Sequence, residues 1–287
     1  MRIIGIVILY YPDADVKNNI SSYLDSIDKL IVWDNTPGGS DIYLPDNHKI
    51  QRMSLNENVG IGKALNEAVL YAKNNAYTHL LTMDQDSYFK DDDCEKYIET
   101  IKKVKQRAIF SPNYIIHGKK WYKEQDSILE VETTMTSGSL YLVSIFDEIG
   151  LFRDDFFIDV IDGEFSFRAK KNGILTKIIP YTYLIHNLGV EKKKYKFLWM
   201  FITSNERSPI RSYYIIRNGV ITKHLYPWVN WREYFFYSLY KRLFLVLFYE
   251  KNKYAKCKGL LLGYIHGKMR KTGKQTIFNE TKIVINV

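Results

Sequence analysis

An alternation of short, almost wholly apolar segments with amphipathic ones most constrains the fold of this chain. Arg2–Leu9, Lys29–Asp34 and His79–Met83 are rich in β-branched and other apolar residues, which predicts strands buried on both faces. Between them, Asp13–Asp28 and the segment after Gly60 place apolar residues three and four positions apart, which predicts helices. The pattern predicts an open α/β sheet, in which ligands bind beyond the carboxyl ends of the strands.

The later part of the chain is less regular. The further predicted elements are a short strand at Lys49–Met53, a helix at Asp92–Gln106, strands at Ala108–Ser111, Val131–Met135 and Ser139–Val143, a helix at Asp159–Lys171 and a strand at Ile174–Ile179. From about Phe197 the chain shows helical patterns dense in Tyr, Phe, Leu, Lys and Arg. The sequence therefore predicts an α/β domain followed by a helical, basic and aromatic extension.

Charge is divided unevenly along the chain. Residues 1–186 carry 21 Lys and Arg against 27 Asp and Glu, whereas residues 187–287 carry 20 against 5. A strongly basic region is either a solvated face or a surface for an anionic partner, such as a membrane, a phosphorylated ligand or a nucleic acid.

The remaining composition excludes several classes of protein. With 46% hydrophobic and 25% charged residues, the chain is neither disordered nor collagen-like nor a coiled coil. Cys94 and Cys257 lack the spacing of a disulfide framework or a zinc site, which favours the reducing cytosol. The N-terminus lacks the pattern of a signal peptide. The apolar run Leu243–Tyr249 is far shorter than the roughly 20 residues of a membrane-spanning helix, so no span is expected.

Asp84-Gln85-Asp86, directly after a predicted strand, is the sharpest chemical feature. Two carboxylates at positions i and i+2 of a turn can converge on one divalent cation, and Mg²⁺ or Mn²⁺ prefers such oxygen ligands. An Asp-x-Asp pattern alone is weak, because loops often carry it by chance. Its position at a strand end favours a metal site that also binds substrate phosphates.

Other phosphate-binding classes fit less well. The chain has no Gly-x-x-x-x-Gly-Lys-Ser/Thr loop, which excludes that type of ATPase. Gly60-Ile61-Gly62 follows polar residues rather than a strand, and Leu65 stands where the dinucleotide fingerprint needs a glycine. An aspartyl phosphatase remains an alternative, although such enzymes usually carry the motif on their first strand.

Two further sites have a structural and a functional interpretation. Asp159 and Asp162 lie three apart at a predicted helix start, so we expect them to face the same side. They are either acids favoured by the helix dipole or include a general base. His186 follows an apolar strand and is either a structural histidine or the third ligand of a metal held by two carboxylates.

Taken together, these residues resemble the family 2 glycosyltransferases of the GT-A fold, in particular their bacterial rhamnosyltransferase-like branch. The resemblance covers Ile3 to about Asn218 and depends on eight motifs in a fixed order. They are Ile8–Asp13, Val32–Asn35, Asn56–Asn66, Met83–Ser87, Thr136–Ser139, Phe157–Phe165, His186–Gly189 and Arg211–Asn218. One departure is that the family's usual Glu-Asp pair is Ile161-Asp162 here, so Asp162 alone matches the catalytic base.

The resemblance implies roles for individual residues. The nucleotide-sugar donor is expected to contact Pro12, Asp13, Asp34, Asn58, Gly60, Lys63, Asp84, Gln85, Asp86 and Arg217. The acceptor is expected to contact Ser137, Gly138, Asp159, Glu164, Arg211 and Tyr214. Asp84, Asp86 and His186 are expected to hold Mg²⁺ or Mn²⁺, with Asp162 as the catalytic base.

The same resemblance implies a GT-A catalytic domain over residues 1–196, with a nucleotide-sugar half to about residue 110 and an acceptor half after it. Residues 197–287 form the expected membrane-proximal extension. The implied reaction is inverting transfer of a sugar, L-rhamnose from dTDP-L-rhamnose, to a surface polysaccharide or lipid-linked glycan. A UDP-hexose donor is an alternative, and a basic nucleic-acid- or membrane-binding protein without catalysis is an alternative of another class.

The expected location is cytoplasmic, peripheral at the inner face of the cell membrane, with an anionic membrane surface as partner and no nucleic acid. The membrane-facing residues expected from the sequence are Lys192, Lys193, Lys194, Lys241, Arg242, Lys268, Arg270, Lys271, Trp228 and Trp231.

Overall fold

A computed structural model describes residues 1–104, 106–187, 193–197, 200–204, 206–232, 235 and 237–277. The chain divides into two compact units. The first contains residues 1–154 and 162–188, and the second contains residues 155–161 and 189–286. Lys192, Leu188 and Gly189, which the sequence analysis named, lie outside the described residues.

The first unit contains a mixed sheet of ten strands among the described residues. The strands are β1 Ile3–Leu9, β2 Lys29–Asp34, β3 Ile50–Ser54, β4 His79–Asp84, β5 Ser87–Phe89, β6 Ala108–Ile116, β7 Lys119–Lys120, β8 Leu129–Val131, β9 Ser139–Leu142 and β10 Leu175–His186. Their main order is β3-β2-β1-β4-β9-β6-β10-β5, with β7 beside β6 and β8 beside β10.

One half of the sheet is parallel. β1 pairs in parallel with β2 on one side and with β4 on the other, and β2 pairs in parallel with β3. Every residue of β1 is buried, as expected for a central parallel strand with both faces covered. Leu9 is level with Asp34 and Ile8 is level with Asp84, so two acids flank the carboxyl end of β1.

The other half of the sheet is mixed. β9 is antiparallel to β4 and β6, whereas β10 is parallel to β6 and antiparallel to β5. The pairing of β10 with β6 is irregular between Ile179 and Tyr183, after which the two strands continue to His186 and Ile116. Because β10 runs on past this irregularity, its last residues reach the short strand β5.

Helices cover the sheet and complete the core. They are α1 Val16–Leu24, α2 Ile61–Asn74, α3 Asp93–Lys103, α4 Ile145–Ile149 and α5 Ile161–Lys171. One apolar core packs Ile20 and Leu24 of α1, Tyr97 of α3 and strand residues such as Val7 and Leu184. The predicted α/β sheet flanked by helices is therefore confirmed.

The second unit has its own elements. They are the antiparallel strands β11 Lys193–Phe197 and β12 Met200–Ser204, and the helices α6 Pro209–Leu225, α7 Tyr237–Phe248 and α8 Lys253–Lys268. Gly263 and Gly267 let α8 approach α6 closely, because a Cβ on Gly263 would lie 2.5 Å from the carbonyl oxygen of Tyr213. Across the described part of the chain, no helix combines the length and apolar character needed to cross a membrane.

Three predicted elements differ from the structure. The strand expected at Val131–Met135 is Leu129–Val131, where β10 provides a pairing edge. The strand expected at Ile174–Ile179 extends to His186, because its backbone continues to pair with β6 beyond Pro180. The helical pattern expected from Phe197 begins instead with strand β12, and the first helix starts at Pro209.

Candidate functional site

Asp84, Asp86 and His186 form an acid and imidazole cluster beyond the end of β4. One ligand atom of each residue lies within 4.8 Å of the ligand atoms of the other two. Asp84 ends β4, and the turn that follows carries Asp86 to the start of β5. Residue 186 is level with Ser87 in the pairing of β10 with β5, which brings the histidine beside Asp86.

The surroundings of His186 favour the neutral imidazole. The side chain is 5% exposed, and burial lowers the pKa of His186 to about 4. Its Nδ1 atom hydrogen-bonds with the Ser87 hydroxyl and lies 3.7 Å from Oδ1 of Asp86. A neutral imidazole has a lone pair for a metal, which a protonated ring does not.

The donor set of this cluster fits a divalent cation. Two carboxylates and a neutral imidazole offer hard oxygen ligands and one nitrogen ligand, a combination that suits Mn²⁺ and, through its oxygens, Mg²⁺. The structure thus brings together the three residues that the sequence nominated for metal binding.

Hydrogen bonds with Ser137 and Gly138 hold the main chain at the end of β4, where Asp84 lies. The backbone N–H of Asp84 donates to the Ser137 hydroxyl at 3.1 Å, and the N–H of Gly138 donates to the carbonyl of Thr82 at 2.7 Å. Gly138 has φ +79°, and a Cβ there would lie 2.9 Å from Cγ of Pro112. Ser137 is fully buried, and its hydroxyl holds the backbone of Asp84; the predicted acceptor contact of its side chain stays a prediction.

Gln85 ties the turn to the end of β1. Its Oε1 accepts from the N–H of Tyr10 at 2.7 Å, and its Nε2 donates to the carbonyl of Tyr10 at 3.2 Å. Asn19 donates to the carbonyl of Gln85 at 2.8 Å. Both ends of the Gln85 amide are therefore engaged by the main chain, which holds the turn in place, and the predicted donor contact of Gln85 stays a prediction.

Asp34 is held by groups that the sequence analysis did not name. Its Oδ2 accepts from the backbone N–H of Ser40 at 2.8 Å, from the Ser40 hydroxyl at 2.6 Å and from the Arg52 guanidinium, while Oδ1 accepts from the N–H of Thr36 at 3.0 Å. Burial alone would raise the pKa of Asp34, but the hydrogen bonds from Ser40, Arg52 and Thr36 outweigh it and lower the pKa to about 2.

The partners of Asp34 follow from strand register. Arg52 lies on β3 two residues before Ser54, the position level with Asp34, so the two side chains share one face of the sheet. Buried and exposed positions alternate only weakly along β3, so the sequence of this strand does not indicate that Arg52 faces Asp34.

A cleft of about 380 Å³ lies beside this carboxylate. The lining residues are Pro12, Asp13, Ala14, Lys17, Ser40, Asp41, Ile42 and Tyr43. Ser40 belongs both to the cleft and to the hydrogen bonds of Asp34, so the buried acid orders one wall of it. The volume lies within the range typical of small-molecule pockets. Pro12 and Asp13, two of the residues predicted to contact a donor, line this cleft.

The loop before α2 is fixed to the end of β2. Asn35 donates to Oδ1 of Asn58 at 3.0 Å, and its own Oδ1 accepts from the N–H of Val59 at 2.9 Å. Gly60 begins the helix with φ 84°, which favours glycine. Lys63, in contrast, forms an ion pair with Glu67 at 2.6 Å on the surface of the helix.

Asp162 lies in the first turn of α5. Its Oδ1 accepts from the N–H of Gly163 at 2.8 Å, and the helix dipole favours a carboxylate at this end. Burial raises the pKa of the Tyr141 hydroxyl, and the charge of Asp162 raises it further; the same holds for Tyr114. The carboxylate thus lies within electrostatic range of both tyrosines.

A chain of hydroxyl groups leads from these tyrosines to β4. Tyr114 hydrogen-bonds with Ser111, which hydrogen-bonds with Ser139 at 3.1 Å. The Thr82 hydroxyl donates to the Ser139 carbonyl at 3.2 Å, and Thr82 lies two residues before Asp84. This chain of hydroxyl groups therefore connects Tyr114 with the strand that ends at Asp84.

Glu164 has a different environment from the one predicted. It is 1% exposed and pairs with Arg168 at 2.8 Å. Arg168 also donates to the carbonyls of Ile149 and Leu151 at 2.6 and 2.8 Å. Because the carboxylate is committed to this internal pair, Glu164 anchors α5 through Arg168, and its predicted acceptor contact stays a prediction.

In the second unit, Asp159 forms an ion pair with Arg211 at 2.7 Å. Arg217 and Tyr214, predicted to contact substrates, are buried. Arg217 donates to three backbone carbonyls, and the Tyr214 hydroxyl accepts from the N–H of Gln275 at 2.8 Å. Internal partners therefore engage both side chains, and the predicted donor contact of Arg217 and acceptor contact of Tyr214 stay predictions.

The expectation that Asp159 and Asp162 share a helix face is also wrong. Helix α5 begins at Ile161, and Asp159 precedes it with φ 63°, so the helical spacing does not apply.

Comparison with known proteins defines the class. The solved structure of GalNAc-T7 with UDP, GalNAc and Mn²⁺ superposes with a TM-score of 0.57 at 11% sequence identity. The match covers 94% of this chain and 56% of that chain, so this chain spans little more than half of that protein. The likeness shows the shared fold, that of the GT-A glycosyltransferases.

The family follows from the sequence. The family model for Glycosyl transferase family 2 matches residues 20–167, more than half of the chain, and the chain belongs to that family. It is also 25% identical over 288 residues to a dTDP-rhamnosyl transferase, RfbF, of Shigella flexneri, covering 93% of this chain and 95% of that protein. A nucleotide-sugar donor and a glycan acceptor are the substrates that this family implies.

The environment of Asp34 makes a prediction about stability. Because its pKa is lowered in the folded state, its contribution to the free energy of unfolding is present above the unfolded value near 4 and is lost as the pH falls toward 2. Asp34→Asn is expected to cost about 2 kcal/mol at pH 7. Urea unfolding at pH 7 and pH 3 should show this difference shrinking. Asp41→Asn, at an exposed position, is the control; equal effects of the two variants at pH 7 would contradict the assignment.

Proposed function

We propose that this protein is an inverting glycosyltransferase that moves a sugar from a nucleoside diphosphate to a hydroxyl group of a glycan. The observation that supports this most directly is the convergence of Asp84, Asp86 and His186 beyond the carboxyl end of β4. This is the edge of the sheet where ligands of open α/β folds bind. The cleft lined by Pro12 and Asp13 would take the nucleoside of the donor.

The donor is dTDP-L-rhamnose in this proposal. The support is the similarity to the dTDP-rhamnosyl transferase of Shigella flexneri along nearly the whole length of both chains. At 25% identity a different nucleotide or sugar remains compatible with the same fold, and a UDP-hexose is the second candidate. The acceptor is a hydroxyl of a surface polysaccharide or of a lipid-linked glycan.

Asp84, Asp86 and His186 would hold Mg²⁺ or Mn²⁺. When bound, such an ion neutralises the charge that develops on a departing diphosphate. The chain's own contribution is to fix these ligands before the substrate arrives. Ser137 holds the backbone of Asp84, Gln85 anchors the turn to Tyr10, and strand pairing places His186. Ligands held in this way need little rearrangement on binding.

Asp162 is the general base of the proposed reaction. Its carboxylate takes the proton from the acceptor hydroxyl, and the acceptor oxygen attacks the anomeric carbon as the bond to the diphosphate breaks. One bond forms and one breaks at that carbon in a single displacement, so its configuration inverts. The pair of electrons from the broken bond leaves with the diphosphate.

The second unit supplies a candidate membrane surface in this proposal. Some residues nominated from the sequence are not exposed: Trp231 is buried and donates to the carbonyl of Tyr226, and Arg242 pairs with Glu250. Others, including Lys241, Lys268, Arg270 and Lys271, are exposed. The proposed contact with an anionic membrane therefore rests on the exposed members of the nominated set.

Helices α7 and α8 each expose apolar side chains. The exposed apolar residues are Tyr240, Leu243, Leu247 and Phe248 on α7, and Tyr254, Leu261, Tyr264 and Ile265 on α8, with Met269 directly after it. Their spacing of three and four residues gives each helix an apolar stripe open to solvent. Residues 251–277 contain eight Lys and Arg and no Asp or Glu. Such a surface disfavours a second copy of itself and matches an anionic lipid surface.

Donor binding tests the proposed function directly. The cluster predicts that Mn²⁺ strengthens the binding of dTDP-L-rhamnose, and that Asp86→Asn removes this effect because one carboxylate ligand is lost. Calorimetry with dTDP-L-rhamnose, UDP-glucose and UDP-galactose, with and without Mn²⁺, checks both donor and metal. Asp92→Asn on the exposed surface before α3 is the control. Binding of none of the three nucleotide sugars would contradict the proposal.

Asp162→Asn tests the general base. The amide keeps the size of the side chain but cannot take a proton, so kcat is expected to fall about 10²-fold or more. Donor affinity should stay near that of the wild type, because the proposed donor ligands are other residues. Transfer at a near-native rate by the variant would remove Asp162 from this role.

Vesicle sedimentation tests the membrane surface. Lys258→Glu combined with Lys268→Glu reverses two exposed charges on α8, and each basic residue near an anionic surface contributes about 1 kcal/mol. The double variant should bind phosphatidylglycerol vesicles at least about 10-fold more weakly than the wild type. Lys102→Glu with Lys103→Glu on α3 is the matched control. Absence of wild-type binding at low salt, or tighter binding to duplex DNA than to vesicles, would contradict this surface.

A further inference from the structure

The segment immediately before Asp162 has an unusual backbone. Three of its residues, Phe157, Asp159 and Val160, have φ values of 67°, 63° and 67°, although none is glycine. A β-branched residue such as valine is a genuine outlier at positive φ. Conformations of this kind persist only where the surrounding structure holds them, and they cluster at functional sites. The groups that hold this segment lie on helix α6.

Asn218 on α6 holds three of its carbonyl groups. The side-chain amide donates to the carbonyl oxygens of Phe156 at 3.1 Å, Ile158 at 2.8 Å and Asp159 at 2.9 Å. Asn218 is fully buried, so no solvent competes for these hydrogen bonds. Because positive φ values interrupt the regular backbone of this segment, its carbonyl groups cannot pair as they would in a helix or sheet. The Asn218 amide supplies the hydrogen-bond donors that they need.

Arg217 completes the arrangement. Its guanidinium donates to the carbonyls of Phe156 at 2.8 Å and Asp155 at 3.2 Å, and its other arm donates to the carbonyl of Gly273 at 2.6 Å. Its Nε donates to Oδ1 of Asn218 at 2.9 Å, which fixes the amide with its NH₂ group toward the segment. Two adjacent buried side chains thus bind the main chain of residues 155–159 from one helix.

We propose that Arg217 and Asn218 are positioning residues for Asp162. They hold residues 155–159 in a strained conformation, and this segment leads through Val160 directly into α5, of which Asp162 is the second residue. The inference rests on the proposed role of Asp162 as general base. It replaces the expected contact of Arg217 with substrate by an action through the backbone.

Asn218→Asp is the most direct test. The substitution keeps the shape of the side chain, removes the NH₂ donor and places a carboxylate against three carbonyl oxygens. We expect kcat to fall about 10- to 100-fold, the effect of a small misplacement of a catalytic group. The KM for the donor should change less than about twofold, because the donor cleft and the metal cluster are built from other residues.

Val220→Ala on the same helix is the matched control. It removes buried apolar packing beside Gly267 of α8 and leaves the hydrogen bonds of Arg217 and Asn218 in place, so it should lower the melting temperature while leaving kcat near the wild-type value. Val160→Gly combined with Asn218→Asp adds a rescue test, since glycine adopts positive φ without strain. Partial recovery of kcat in this double variant supports positioning. A folded Asn218→Asp protein with wild-type kcat overturns the inference, and so does a loss of kcat that Val220→Ala reproduces.

If Asn218→Asp does not fold, Arg217→Lys decides the matter. It keeps the charge and loses the bidentate geometry, and it is expected to lower kcat with the donor KM unchanged. A folded Arg217→Lys protein with wild-type kcat overturns the inference. Two outcomes distinguish the proposals. If Asp162→Asn retains activity, Asp162 is not the general base. If Asp162→Asn loses activity but the Arg217 and Asn218 variants retain it, only the positioning role is contradicted.

Discussion

The antiparallel pairing of β5 with the last residues of β10 brings together parts of the chain that lie about a hundred residues apart. Residue 186 is level with Ser87, and the N–H of Asn187 donates to the carbonyl of Asp86 at 3.1 Å. Without this pairing the imidazole would have no fixed position relative to the two carboxylates. The pairing in turn requires that β10 continue beyond its irregularity after Ile179. The convergence of Asp84, Asp86 and His186 is therefore a consequence of sheet topology as well as of the turn that carries the acids.

Much of this arrangement could be predicted from the sequence, because its signals are local. Apolar runs marked the central strands, and acids at the ends of two of them marked the ligand edge of the sheet. The partners of those acids could not be predicted in the same way. Arg52 reaches Asp34 across a strand pair, and Ser40 reaches it from a loop. Such contacts depend on register and loop path, which a single sequence does not encode in any short pattern.

Three residues that were predicted to contact substrates have internal partners. The resemblance to the family implied these contacts for Arg217, Tyr214 and Glu164, because each residue lies in a matching motif. Each is buried instead and engaged by internal partners: backbone carbonyls, a backbone N–H and a guanidinium, respectively. A buried charge is stable only where it is paired and hydrogen-bonded. In this protein the polar residues of the motifs therefore do two kinds of work, and sequence alone does not separate those that meet ligands from those that hold the main chain.

This distinction changes how the basic C-terminal part of the chain is understood. Its positive charge is not one uniform surface. Arg242 and Lys256 neutralise the buried carboxylate of Glu250, with Nζ of Lys256 2.9 Å from Oε2. The Arg217 guanidinium donates its hydrogen bonds to backbone carbonyls. These cations are unavailable to an external partner. The charge that remains outside, including Lys258 and the residues after α8, accompanies exposed apolar side chains. The cations of the second unit therefore fall into two groups: a buried group that is paired internally, and an exposed group that lies among apolar side chains and carries the proposed membrane contact.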